Sequence, residues 1–190
     1  MLGKSIASIV VALGLAVAGS TMSFAKDSKE EQRAEVRKTS QQILGQLYRA
    51  SPSAKGAVAS AAGYAVFSNF GMKIFLAGGG GGSGIAINNA TKQEVFMKMV
   101  EVQAGLGFGI KKFRVVFIFE TATAFNDFVN SGWEFGGQAT AAASYDGKGG
   151  AYQGAVSVMP GVWMYQMTDE GLALELTGKG TKYYKNDELN

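Results

Sequence analysis

Gly105-Leu106-Gly107-Phe108-Gly109-Ile110 alternates glycine with large apolar residues over six positions. Successive side chains of a strand point to opposite faces. Read as a strand, the stretch carries Leu106, Phe108 and Ile110 on one face and bare backbone on the other. A bare face permits tight bending, close approach of another element, or room for a ligand chain. The chain holds 27 glycines, and each one inside a strand costs roughly 0.5–1 kcal/mol relative to alanine. Two dozen of them would cost an amount comparable to the ~5–15 kcal/mol stability of a domain. Geometry must therefore demand them, for curvature and close packing or for a cavity.

Working outward, the same alternation recurs. Strands are predicted at Tyr64 to Phe67 and near 73–77, 84–88, 94–102, 104–110, 113–119, 133–145, 151–158, 162–167 and 171–178. Turn chemistry separates several of them: Asn88-Asn89, Lys111-Lys112, Asp146-Gly147-Lys148-Gly149-Gly150, Pro160-Gly161 and Asp169-Glu170-Gly171. One helix interrupts the series. Thr121 caps Ala122 to Asn130, on which Ala124, Phe125, Phe128 and Val129 share a face, and Gly132 ends it. Many short strands joined by hairpins argue for an antiparallel sheet, strongly curved or partly closed. The expected class is α+β, mostly β, with N-terminal helices and one inserted helix.

Before the sheet, Asp27-Ser28 caps a helix from about Lys29 to Ala50, whose apolar positions Val36, Ile43, Leu44, Leu47 and Tyr48 form one narrow face. Its first half, with Lys29, Arg33 and Arg37 spaced by four, is nearly all polar and is expected to project or fray. Ser51-Pro52-Ser53 stops this helix and starts another through Ala54 to Ala62. Residues 26–62 thus form a helical segment and 63–190 a glycine-rich β body with a helix near 121–131, together one domain. Residues 1–25 read as a secretory signal peptide. Lys4 supplies the positive end, Ile6 to Ala18 an apolar run too short to span a membrane, and Ser23-Phe24-Ala25 the cleavage site. Export to the periplasm or medium, with cleavage after Ala25, is the expectation.

Composition narrows the chemistry. Cleavage would remove Lys4 from 18 basic residues and leave 17 against 15 acidic ones. That balance lacks the dominant basic face of a nucleic-acid binder. No cysteine means no disulfide and no thiolate metal site, and no histidine removes the commonest general base and metal ligand together. Gly79, Gly81 and Gly84 formally fit a G-x-G-x-x-G pattern, with Glu101 downstream. A dinucleotide fingerprint needs a helix after it so that phosphate meets the helix N-terminus, and Ile85-Ala86-Ile87-Asn88-Asn89 reads as strand and turn instead. No nucleotide and no cofactor is expected.

Most of the chain from about residue 30 onward resembles the SYLF-domain family. Gly63-Tyr64-Ala65-Val66-Phe67 is similar to its opening motif, the run Gly78 to Gly84 to its glycine stretch, and Gln103-Ala104-Gly105-Leu106-Gly107 to its Gly/Gln-rich strand. Tyr165 to Tyr184, containing Gly171-Leu172-Ala173-Leu174-Glu175-Leu176-Thr177-Gly178, resembles its closing strand pair. The resemblance implies lipid binding and no catalytic residues. With a signal peptide, the chain resembles the bacterial exported branch, where ordinary phospholipid replaces the phosphoinositides of eukaryotic members. The expected partner is phospholipid or another amphiphile, with a membrane surface possible.

Lys111, Lys112 and Arg114, at a predicted turn, are candidates for a headgroup-binding edge, with the neighbouring Phe113 positioned to enter the interface and an ordinary charged hairpin as the alternative. Lys73, between Phe70 and Phe75, is a weaker one. Gly105, Gly107 and Gly109 are the candidate cavity lining. Trp133, Phe135, Tyr152, Trp163, Tyr165, Tyr183 and Tyr184 suit an interfacial belt or a core. Glu120, Asp127, Glu134, Asp146, Asp169 and Glu170 are scattered, and no spacing selects the pair that a two-carboxylate hydrolase requires. An outer-membrane β-barrel is the other alternative. Against it stand the helices and strands shorter than the ~9–11 residues of a crossing.

Overall fold

The computed structural model describes residues 28–135, 152–173 and 180–190, with 70–78, 103–111 and 135 described by backbone alone. The expected signal peptide 1–25, the expected turn Asp146 to Gly150 and the expected strand residues 136–145, 151 and 174–178 lie outside the described residues.

Helix α1 spans Lys29–Ala50 and α2 spans Ser53–Ser60. Ser28 Oγ accepts from the Glu31 amide at 3.2 Å, and Glu31 Oε2 accepts from the Ser28 amide at 2.7 Å. This reciprocal cap satisfies two of the free N–H groups at the helix start. Pro52 separates the helices, and α2 ends two residues before its expected limit because Ala61 is already extended.

The main departure from the sequence reading is the length of two strands. β1 runs Gly63–Asn88 and β2 runs Glu94–Phe119, 26 residues each, absorbing six of the predicted short strands. They pair antiparallel from Gly63↔Phe119 to Ile87↔Glu94. The Asn88-Asn89 turn stands, with Asn88 Oδ1 accepting from the Ala90 and Thr91 amides. The Lys111-Lys112 turn does not. Lys111 faces Gly71 and Lys112 faces Phe70 in an unbroken ladder, so nothing reverses the chain there. The Gly78 to Gly84 run is likewise paired, from Gln103 to Met97.

One irregularity interrupts the ladder. Phe75 pairs with Gly107 but Ala77 with Ala104, so Gly105 and Leu106 oppose Leu76 alone. A bulge of this kind bends a strand and increases its twist. Beyond it β1 returns upon itself, bringing Gly82 and Gly84 against Ser68, Asn69, Val66 and Phe67.

β2 belongs to both halves of the resulting curl. Its Met97–Val102 part pairs with β7 (Gly180–Lys185), and β3 (Trp133–Phe135) pairs beyond that. Its Arg114–Phe119 part pairs with β5 (Val162–Thr168), which carries β4 (Val156–Met159) and β6 (Gly171–Ala173). The described strands form one antiparallel sheet curled into a half-barrel, the mostly-β α+β class expected. β7 falls outside the predicted strands.

The inside of the curl is aromatic. Phe67 of β1, Phe117 and Phe119 of β2, Tyr183 of β7 and Phe128 of α3 (Ala122–Ser131) form one buried cluster, with Trp133 packed against it. The Phe67 and Tyr183 rings lie 4.7 Å apart and those of Phe119 and Phe128 5.0 Å apart. Thr121 Oγ1 accepts from the Ala124 amide to start α3, and Gly132, at φ 67°, ends it. On the outer face, Ile43 and Leu47 of α1 and Ala57 and Val58 of α2 cover Val66, Val116, Ile118 and Tyr165.

The first half of α1 is docked rather than projecting. Arg33 Nε donates to the Leu189 carbonyl at 2.8 Å, Arg37 Nε pairs with Glu94 at 2.8 Å, and both guanidinium groups lie over the Phe96 ring. Long basic side chains cover apolar surface with their stems, so a polar sequence still yields a packed helix.

Candidate functional site

The hairpin bend and its margins hold the basic and glycine candidates named from the sequence for lipid binding. Register places Lys73 across from Gly109, Phe75 across from Gly107, and Gly71 across from Lys111, while Gly105 sits in the bulge. The adjoining pairs are apolar with apolar, Met72↔Ile110 and Ile74↔Phe108. The three glycines and two of the basic candidates thus fall within one stretch of ladder.

At the start of that stretch the strands meet α1. Ser68↔Arg114, Asn69↔Phe113 and Phe70↔Lys112 are successive pairs. Facing them, Thr39, Gln42, Ile43 and Gln46 of α1 complete a half-enclosed cleft of about 330 Å³. Lys112 is exposed, whereas Phe113 is buried. Phe113 therefore does not reach outward as the turn placement implied. In continuous β2 it shares the inward register of Val115, Phe117 and Phe119. Arg114 Nη2 holds Asp169 Oδ1 at 2.7 Å, and this guanidinium keeps the Asp169 carboxyl below its ordinary range.

Polar groups also line the inner margin of the bend. Asn69, Glu101 and Tyr183 are all buried. Burial first, then the Glu101 charge, pushes the Tyr183 phenol far above the usual tyrosine range, opposed by a hydrogen bond with Asn69. Asn69 Oδ1 has no hydrogen-bond partner among the described residues and lies against the Gly82 backbone.

On the outer side of β2 the sequence reading missed a feature. Val100 is 41% exposed and Val102 70% exposed. Their ladder partners on one side are Gly81 and Gly79, which carry no side chain to cover them, and on the other Lys182 and Gly180. The signal was present as Val-x-Val opposite Gly-x-Gly, but it needs the register to be read.

Several of the remaining candidates serve structure. Tyr165 and Tyr183 are buried, and Trp133 joins the core. Tyr152 stacks on Trp163 at 4.5 Å, with the indole donating to Glu120 at 3.1 Å. Glu170 lies in the turn after β5, its amide donating to Thr168 Oγ1. Among the described residues no three His, Cys, Asp or Glu side chains gather as a metal site would need.

No known family's sequence profile matches the chain. It is 31% identical over 165 residues to Beta cell expansion factor A of Aeromonas veronii, an alignment covering 84% of this chain and 59% of that protein. The chain is a homologue of that longer protein and spans less than two-thirds of its length.

Proposed function

We propose that this chain is a SYLF-type domain that binds phospholipid or a similar amphiphile in the cell envelope, without catalysing a reaction. The observation that carries the reading is the apolar strip of Val100 and Val102, exposed in mid-strand beside the uncovered backbone of Gly79 and Gly81. Exposed valines in isolation are ordinary. Here two lie in line on one strand, with glycines across the ladder and the apolar pairs of the bend further along it. The resemblance of the Gly63, Gly78 and Gln103 motifs to the SYLF family, and the signal-like residues 1–25, support lipid as the ligand and export as the location.

The β-barrel alternative loses one objection, since 26-residue strands exceed a crossing. It meets another: the outward residues Val66, Val116 and Ile118 face helices α1 and α2, where a spanning barrel would face lipid.

Cosedimentation with neutral phosphatidylcholine vesicles tests the reading. Burying a valine is worth ~1.5–3 kcal/mol, so Val102→Asp should weaken binding about tenfold or more. Wild-type binding should persist in high salt, which screens charges but not apolar contact. Absence of wild-type binding to any vesicle, with no copurified amphiphile, would overturn the function.

A further inference from the structure

The cleft between α1 and the hairpin bend differs from the other described clefts in having no carboxylate in its lining. The cleft below α1's first turns contains Glu31, Glu35 and Glu188, the one beside Phe96 contains Glu94, and the one beside Thr168 contains Asp169. The cleft at the bend is lined by Lys112 and Arg114 and by no carboxylate.

Its neutral groups suit the same ligand. Gln42 and Gln46 lie one turn apart on α1, and Ser68 faces them from β1. Among the described residues the side chains of Gln42, Gln46, Ser68 and Lys112 make no hydrogen bond or ion pair, and the Asp169 carboxylate that holds Arg114 also feels the Lys112 charge. Among the described residues Asp169 alone holds Arg114, through Nη2, which fixes the guanidinium at the cleft wall. The buried Ile43 side chain supports the site from below. Amide and hydroxyl donors beside an ammonium and a guanidinium form a recognition set for a compact oxyanion.

We propose that this cleft binds a phosphate-type oxyanion, the phosphodiester headgroup of the amphiphile in the function proposed above, on which this identification of the ligand depends. The headgroup would sit between α1 and β2 while the chains meet the apolar surface of the sheet.

The test is cosedimentation of the whole chain with vesicles of phosphatidylcholine and of phosphatidylcholine mixed with phosphatidylglycerol. Wild type should prefer the anionic vesicles. Lys112→Ala and Gln42→Glu, both at exposed positions, should each weaken anionic binding about fivefold and should weaken neutral binding as well, since phosphatidylcholine carries the same phosphodiester. Lys55→Ala, exposed on α2 outside the cleft, should change neither. Equal anionic binding by wild type and both cleft variants would overturn the cleft, and so would an equal loss in Lys55→Ala, which would mean diffuse charge. Failure of wild type on both vesicles would instead remove the amphiphile reading. Titration with inorganic phosphate, followed by NMR at the Gln42 and Gln46 side-chain amides, then decides the oxyanion site. Shifts lost in Lys112→Ala support it with free phosphate as the source, and no shift overturns it.

Discussion

Gly84 rests on the ring of Phe67: a β-carbon at 84 would lie 2.7 Å from Phe67 Cε1 and would also collide with the Val66 carbonyl. Phe67 is fully buried among other rings and cannot withdraw. Gly84→Ala should therefore destabilise by about 1–3 kcal/mol, the usual range for overpacking. Gly56→Ala is the contrast, since it lies in α2 with nothing within 4 Å of the added carbon. It should stabilise by about 0.5–1 kcal/mol. Urea melts of the two variants should move in opposite directions.

Asn89, in the hairpin turn, donates through Nδ2 to the carbonyls of Val58 at 2.7 Å and Ala61 at 2.8 Å. The turn thereby closes the end of α2. Asn89→Asp keeps the shape and removes both donors, leaving two carbonyls facing an acceptor. A loss of about 1–3 kcal/mol is expected, with faster amide exchange at the end of α2 than elsewhere in the sheet.

Alkaline instability should follow from two buried phenols. Burial raises Tyr165 to about 12 and Tyr183 further. An unfolded tyrosine titrates near ~10, so above that pH the unfolded chain releases protons that the folded chain retains. Stability is then full below pH ~10 and falls as pH rises, by ~1.4 kcal/mol per pH unit for Tyr183 alone, with Tyr165 adding in the same direction. Tyr183→Phe should flatten the decline. Chemical melts of wild type and variant across this range provide the measurement.

Export predicts a mature N-terminus at Lys26. Intact mass of the chain recovered from the periplasm or medium should lack residues 1–25. Full-length mass in that fraction would contradict cleavage.

Helix limits were legible because caps are local chemistry. Ser28 with Glu31, Thr121 with Ala124, and Gly132 each act within four residues. The 26-residue strands were not, because their interruptions used residues that also make turns. A lysine pair and a glycine run end strands when the ladder stops, and here Phe70, Gly71 and Gln103 continue it from far along the chain. Phe113 was misplaced for the same reason. Its alternation with Val115, Phe117 and Phe119 was readable, but an assumed turn cut it off from them. Candidate residues Lys73, Lys111 and Lys112 were found as charges. Their assembly with the glycines depended on a register that only the paired strands supply, as did the exposure of Val100 and Val102.

Because β2 contributes to both halves of the curl, the molecule has a built-in order of assembly. The turn at Asn89 brings Ile87 to Glu94 first, and pairing can then propagate residue by residue toward Gly63 and Phe119. Only after it has passed the bulge can Phe67 meet Gly84 and the aromatic interior close. Until then the inward faces of both halves are open to water and to other chains. A lesion at the bulge would act on this interval, slowing closure and lengthening exposure to aggregation more than it weakens the finished fold.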